Sequence, residues 1–193
     1  MIIAIEGIDG SGKTTIANFL KKELERLGYK VELLKEPGDS VWGKKLKNSL
    51  RKRLPPDEEL KLFILDRKYN VEKFILPALK SGRVVILDRY YYSTLAYQGA
   101  LGFDINSIKK QNESFAPKPD LVIILDVDPS KATTRIKKKR ELNEFERIDY
   151  LNKVRKLFLS IKDDNIVVVN ANKDLESVKD EVKRIVLKKL KNG

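Results

Sequence analysis

Four short, nearly continuous apolar runs punctuate the chain: Ile2–Ile5, Val84–Leu87, Leu121–Leu125 and Ile166–Val169. Each is brief and rich in β-branched residues, as in parallel strands covered on both faces. Val31–Leu34 reads as a fifth strand. The segments between them carry helical spacing instead. Thr14–Leu27 places Ile16, Ala17, Leu20, Leu24 and Leu27 on one face and stops at Gly28. Glu58–Lys80, Ser130–Lys139, Tyr150–Ile161 and Leu175–Leu190 follow the same period. Strands alternating with helices predict an α/β fold: a five-stranded parallel sheet with right-handed crossovers, surrounded by helices. Neither an internal repeat nor a low-complexity linker divides the chain, so residues 1–193 are expected to form one domain. One stretch departs from the pattern. Residues 137–147 are mostly charged and read either as a solvated helix end or as a mobile basic lid.

In open α/β sheets ligands lie beyond the carboxyl ends of the strands. The segments to inspect are therefore Gly7–Thr14, Lys35-Glu36-Pro37-Gly38, Asp88-Arg89-Tyr90, Asp126-Val127-Asp128-Pro129 and Asn170-Ala171-Asn172. The first, Gly7-Ile8-Asp9-Gly10-Ser11-Gly12-Lys13-Thr14, matches the phosphate-binding loop G-x-x-x-x-G-K-[ST] in full, with a strand before it and a helix after it. Its glycines allow backbone N–H groups to curl around an anion, and the helix N-terminus adds its dipole. Lys13 can reach the β- and γ-phosphates, and Thr14 can offer a hydroxyl to Mg2+. The loop implies a nucleoside triphosphate with magnesium, but not the reaction. A guanine-reading N-K-x-D is missing: in Asn172-Lys173-Asp174 the carboxylate comes one position early. Kinases are then the leading class.

Asp88, at the end of a strand, is a candidate magnesium ligand in the Walker B sense, with Arg89 beside it shaped for phosphate. Asp126 is the rival for the metal, but Asp128-Pro129 looks like a helix N-terminus, and Asp88 is preferred. Phe63 and Arg67, four apart on a predicted helix, share a face and could stack on a base and hydrogen-bond its edge; core packing and surface charge are the alternative.

Composition narrows the chemistry further. The chain has neither cysteine nor histidine, which removes disulfides, the usual zinc sites and Cys or His catalysis. No run approaches the roughly 18 apolar residues of a membrane span. The N-terminus lacks the basic flank of a secretory signal, so a cytoplasmic protein is expected. A net charge of +12 suits polyanionic partners, nucleotides or nucleic acid, although no nucleic-acid module accompanies it.

Taken together, these segments resemble the thymidylate kinase (dTMP kinase) family of P-loop nucleoside monophosphate kinases. The resemblance rests on Ile5–Thr15, Lys35–Gly38, Leu62–Arg67, Leu87–Gly99, Pro117–Leu121 and Leu125–Val127. Glu-Pro-Gly and Asp-Arg-Tyr with the downstream Ala-Tyr-Gln-Gly are its specific parts. It implies the three-layer P-loop fold with a short lid, a homodimer, and transfer from ATP to dTMP with Mg2+. It also implies roles. The loop residues Gly7, Ile8, Asp9, Gly10, Ser11, Gly12, Lys13 and Thr14, with Thr15, would hold ATP, and Asn172 would flank its adenine. Thr14 and Asp88 would serve the metal, Asp88 through water. Phe63 would stack on thymine and Arg67 would donate to its carbonyl edge. Arg89 would hold the acceptor phosphate, and Asp9 would meet the 3′-hydroxyl or the metal's water. Tyr97 would lie where a 2′-hydroxyl projects, with Glu36, Thr94 and Gln98 beside the nucleotide. Lys13, Asp9 and Arg89 would act on the transferred group together with a lid cation, since Gly10 stands where some relatives carry arginine. Lys137, Lys138, Lys139, Arg140 and Arg147 are available, after Arg135; Arg140 is favoured, then Arg147. The lid reads Asn143-Glu144-Phe145-Glu146-Arg147, a departure from the family's pattern. Other monophosphate acceptors (dUMP, UMP or CMP) and a nucleotide-dependent nucleic-acid binder are the alternative readings.

Overall fold

The computed structural model describes residues 1–49, 53–138 and 140–191. Lys139, one of the basic residues of the charged stretch, lies outside the described residues. The five expected strands form one sheet: β1 (Ile2–Glu6), β2 (Val31–Lys35), β3 (Val84–Asp88), β4 (Leu121–Asp126) and β5 (Ile166–Asn170). They lie in the order β2-β3-β1-β4-β5 and every pairing is parallel. β1 and β3 are buried along their full length, β4 in all but its last residue, whereas the edge strands β2 and β5 are only partly covered. The uninterrupted apolar runs thus belong to the centre, where helices screen both faces. Register sets the functional rim. Ile5 pairs with Asp88 and Asp88 with Lys35, so β1, β2 and β3 end level with one another beneath the phosphate-binding loop.

The helices expected from periodicity form near their expected bounds. α1 (Lys13–Arg26) buries Ile16, Ala17, Leu20 and Leu24. α7 (Pro129–Lys137) is capped by the Asp128 carboxylate, which accepts from the Ser130 N–H. α8 (Ile148–Ser160) and α9 (Leu175–Lys191) complete the set. The long helix expected over 58–80 is interrupted. α3 (Pro56–Asn70) passes into a π turn, Val71–Ile75, before α4 (Leu76–Lys80). Pro77 has no N–H to continue the α ladder, and the wider turn ahead of it accommodates that loss.

Three helices were not expected: α2 (Val41–Asn48), α5 (Tyr91–Gly99) and α6 (Ile105–Glu113). α5 is buried from Tyr91 to Gln98 and therefore has no polar face to reveal its period. It contacts α3, α6 and α8, a placement that brings its polar side chains to the middle of the molecule.

Candidate active site

The loop after β1 is shaped by left-handed glycines, among them Gly10 with φ 77°. A Cβ on Gly10 would come within 2.4 Å of the Ala132 carbonyl of α7. The loop therefore has no room for a side chain of its own there, least of all an arginine. Lys13, at the start of α1, is buried and donates to the Ile8 carbonyl at 2.7 Å. Burial, then repulsion from Arg89, lowers its pKa to about 8. Thr14 Oγ1 donates to Asp88 Oδ2 at 2.5 Å, while the buried Asp88 Oδ1 has no partner among the described residues. Asp126 has both oxygens occupied by Arg155, at 2.5 and 2.8 Å. Lys13, Thr14 and Asp88 border a cavity of about 690 Å³, also lined by Arg135, Lys138 and Lys173. Ser11 Oγ, buried on its wall, also lacks a partner among the described residues.

A second cavity, of about 380 Å³, opens between α3, α5 and the charged stretch. Phe63 and Arg67 both reach it from α3, as their spacing demands. Arg67 is almost fully buried and comprehensively held. Nε and Nη2 donate to Glu36 Oε2 at 2.8 and 2.6 Å, Nη2 also to Thr94 Oγ1 at 3.0 Å, and Nη1 to Asn112 Oδ1 at 2.6 Å. One of its five N–H groups remains for a ligand. Burial pushes the Glu36 carboxyl up, and the Arg67 charge offsets only part of that. Glu36 Oε1 is buried and has no partner among the described residues.

Tyr97 sits beside Asp9. Its hydroxyl donates to Asp9 Oδ2 at 2.8 Å and accepts from the Asp9 N–H at 3.0 Å. Arg89 donates to Asp9 Oδ1 at 2.5 Å, to Ser93 Oγ at 3.1 Å and to the Gly7 carbonyl at 3.3 Å. Burial works to raise the Asp9 carboxyl, but the charges of Arg89 and Lys13 outweigh it and hold it at about 2. Four side chains line both cavities: Asp9, Lys35, Arg89 and Arg140. Three cations and one carboxylate thus mark the seam where contents of the two cavities would meet.

Part of the charged stretch folds on itself. Asn143 and Glu146 form a capping box around a 3-10 turn, Glu144–Glu146. Phe145 and Glu146 are buried. Arg140 grips Glu146 with two hydrogen bonds, at 2.8 and 2.5 Å. Arg147 is exposed and lines neither cavity.

Not every expected contact reaches a cavity wall. Gly7 and Ile8 contribute carbonyls to Arg89 and Lys13 and line neither cavity. Asn172 uses its side chain to accept from the Asp128 N–H at 2.9 Å, leaving Ala171 and Lys173 on the wall. Gln98 is fully buried and lines neither cavity, with Nε2 3.4 Å from Glu59 and Oε1 without a partner among the described residues. Conversely, Lys35, Ser93 and Glu6 had no assigned role. Lys35 Nζ lies 3.7 Å from Asp88. Its position at the end of β2 was the signal available for it, and a lone carboxylate closing the apolar strand β1 was the signal for Glu6.

With this geometry in place, comparison with known proteins decides the family. The family model for thymidylate kinase matches residues 5–182. The chain belongs to the thymidylate kinase family. It is 54% identical to a probable thymidylate kinase of Archaeoglobus fulgidus over 96% of this chain and 94% of that protein. It is 42% identical to a thymidylate kinase of Xanthomonas oryzae pv. oryzae over 97% of this chain and 83% of that protein. A thymidylate kinase of Brachyspira hyodysenteriae is also 42% identical, over 94% and 90%. Among the described residues, no helix of this thymidylate kinase family member is long and apolar enough to cross a membrane.

Proposed function

We infer that this chain is a dTMP kinase, transferring the γ-phosphoryl group of ATP to dTMP and releasing ADP and dTDP. Membership of the family carries the activity. The observation that supports it locally is the pair of cavities sharing Asp9, Lys35, Arg89 and Arg140. ATP lies in the loop-side cavity with its β- and γ-phosphates on the loop and Lys13. The nucleoside of dTMP fills the inner cavity, thymine stacked on Phe63 and its carbonyl edge on the free N–H of Arg67. An oxygen of the dTMP phosphate attacks the γ-phosphorus as the bond to the β-phosphate oxygen breaks. That oxygen is ionised at neutral pH, so no general base is required. Two polyanions must approach, and positioning with charge neutralisation is the main demand on the protein. Arg89 holds the acceptor phosphate, and Lys13 and Arg140 face the migrating group.

Mg2+ fits the donor set. It accepts few protein ligands, usually one or two carboxylates together with substrate phosphates and water. Thr14 and Asp88, with its unpartnered Oδ1, would hold it, and it would neutralise charge on the ATP phosphates. The Tyr97 hydroxyl, fixed on both sides by Asp9, guards the sugar against a 2′-hydroxyl. Residues 137–147 act as the lid, with Arg140 its catalytic cation. A homodimer in the cytoplasm completes this reading, and sedimentation at working concentration tests the dimer.

The deciding experiment is ADP release with Mg2+ and ATP across dTMP, dUMP, UMP, CMP and AMP. Fastest turnover is expected with dTMP. Selection against dUMP is expected to be modest, because one methyl group contributes only about 1–3 kcal/mol in a pocket. Fast turnover of CMP or UMP without turnover of dTMP would refute the assignment.

A further inference from the structure

Glu6 is the one ionisable residue of β1 and is fully buried. Burial pushes its carboxyl up to about 7, against the pull of Ser93, Arg89, the Tyr90 N–H and Lys13. A carboxyl buried there at a cost, beside a site built for anionic substrates, needs a reason. Its hydrogen bonds supply one. Glu6 Oε1 accepts from the Tyr90 backbone N–H at 2.7 Å, and Glu6 Oε2 accepts from Ser93 Oγ at 2.5 Å.

Both partners frame Arg89. The N–H of Arg89 donates to the Ile5 carbonyl at 3.1 Å, and the next N–H, of Tyr90, donates to Glu6. The two peptide groups flanking Arg89 are therefore tied to consecutive residues of β1. Between them Arg89 adopts φ 75°, the only positive φ of a non-glycine residue among the described residues. For a long side chain this conformation persists only where surrounding bonds impose it. At the other end of the residue, Arg89 Nη1 donates to Ser93 Oγ. A hydroxyl has one proton. Because Glu6 takes that proton, Ser93 can turn a lone pair toward the guanidinium.

We propose that Glu6 is a positioning residue for Arg89, fixing its backbone through the Tyr90 N–H and its guanidinium through Ser93, and thereby aligning the acceptor phosphate. This deepens, and rests on, the reading of Arg89 as the acceptor-phosphate ligand. Glu6 touches no substrate; it acts through two intermediaries.

The test is Glu6→Gln beside Ser93→Ala, with kcat and both KM values measured. Glutamine can still accept from Tyr90, but its amide faces Ser93 and turns the hydroxyl proton toward Arg89, donor against donor. Glu6→Gln is expected to lower kcat/KM for dTMP about 100-fold, the scale of a small misplacement of a reacting group. The KM for ATP should stay within about threefold of wild type. Ser93→Ala should shift the same constants in the same direction. The double variant should be no worse than Glu6→Gln alone, because the two changes break one relay. Unchanged dTMP constants in Glu6→Gln, or equal losses for ATP and dTMP, would overturn the proposal. Should Glu6→Gln fail to fold, Ser93→Ala decides by the same split. Absence of dTMP turnover in the wild type would instead sink the assigned activity. Glu6 would then be judged by a crystal structure of Glu6→Gln: Arg89 moved out of its left-handed conformation or off Gly7 supports the proposal, and an unmoved Arg89 overturns it.

Discussion

The two cavities are built by opposite means. The loop-side cavity takes its cradle from one contiguous stretch, Asp9–Thr14, most of it backbone, with Arg135 on α7, Lys138 just after it and Lys173 after β5 also on its wall. Lys13 is held there by a single carbonyl. The inner cavity gathers its polar groups from several elements and pairs most of them before any ligand arrives. Arg67 alone joins α3 to Glu36 after β2, Thr94 on α5 and Asn112 on α6. The first arrangement tolerates loss of a cation, since water can replace it at an open wall. The second does not, because every removal strands a buried partner.

The strongest test of this contrast is at the seam. Arg89→Ala should lower turnover of dTMP about 10³-fold or more, the range seen when an arginine leaves a phosphoryl-transfer site. ATP affinity, measured by calorimetry, should change little. An equal loss of ATP affinity would place Arg89 on the donor side and erase the distinction between the cavities.

Stability should separate the two sides next. Arg67→Met leaves Glu36 buried without its cation and should cost about 3–5 kcal/mol in urea unfolding. Adding Glu36→Gln should restore part of that stability but not the activity. Lys13→Met, although expected to abolish turnover, should cost no more than about 1 kcal/mol. Comparable destabilisation by Arg67→Met and Lys13→Met would show that the inner network carries no special stability.

The same division governs what could be seen before the structure. The loop is contiguous, and the central strands are continuous apolar runs, so both were legible residue by residue. Phe63 and Arg67 were legible as a pair because four residues separate them on one helix. The partners of Arg67 were not, since they lie 27, 31 and 45 positions away and meet only through the fold. α5, which carries Thr94, Tyr97 and Gln98, showed no period because it is buried all round. Arg140 was favoured as the lid cation from the resemblance, because Gly10 supplies none; its ion pair with Glu146 goes with a capping box whose geometry appears only in the folded turn.

A pH series probes the join between the two sides. The Glu6 carboxyl, raised to about 7, faces Ser93 and Tyr90 with Arg89 and Lys13 nearby. A carboxyl raised on folding binds its proton more tightly in the native state. Its contribution to stability is therefore complete below about 4.5, its unfolded value, and is lost as pH rises through about 7. The loss should be roughly 3 kcal/mol between these limits. Glu6→Gln should flatten this part of the curve and be no less stable than wild type at pH 8, even as dTMP turnover falls. A parallel pH curve in the variant would show that Glu6 titrates elsewhere.

The smallest effect belongs to Tyr97. Its hydroxyl both donates to and accepts from Asp9. Tyr97→Phe should remove that lock, vacate about one oxygen's room beside the sugar and free Asp9 Oδ2 to accept from a 2′-hydroxyl. The preference for deoxyribose over ribose, read as the ratio of kcat/KM for dUMP and UMP, should fall about tenfold, equivalent to one hydrogen bond of ordinary strength. Tyr97→Ala should lower it further, since the ring then ceases to occupy the space. An unchanged ratio in both variants would assign Tyr97 to holding Asp9 alone. Sugar selection would then rest elsewhere on the inner wall, and the guarded sugar pocket would no longer distinguish that cavity from the loop side.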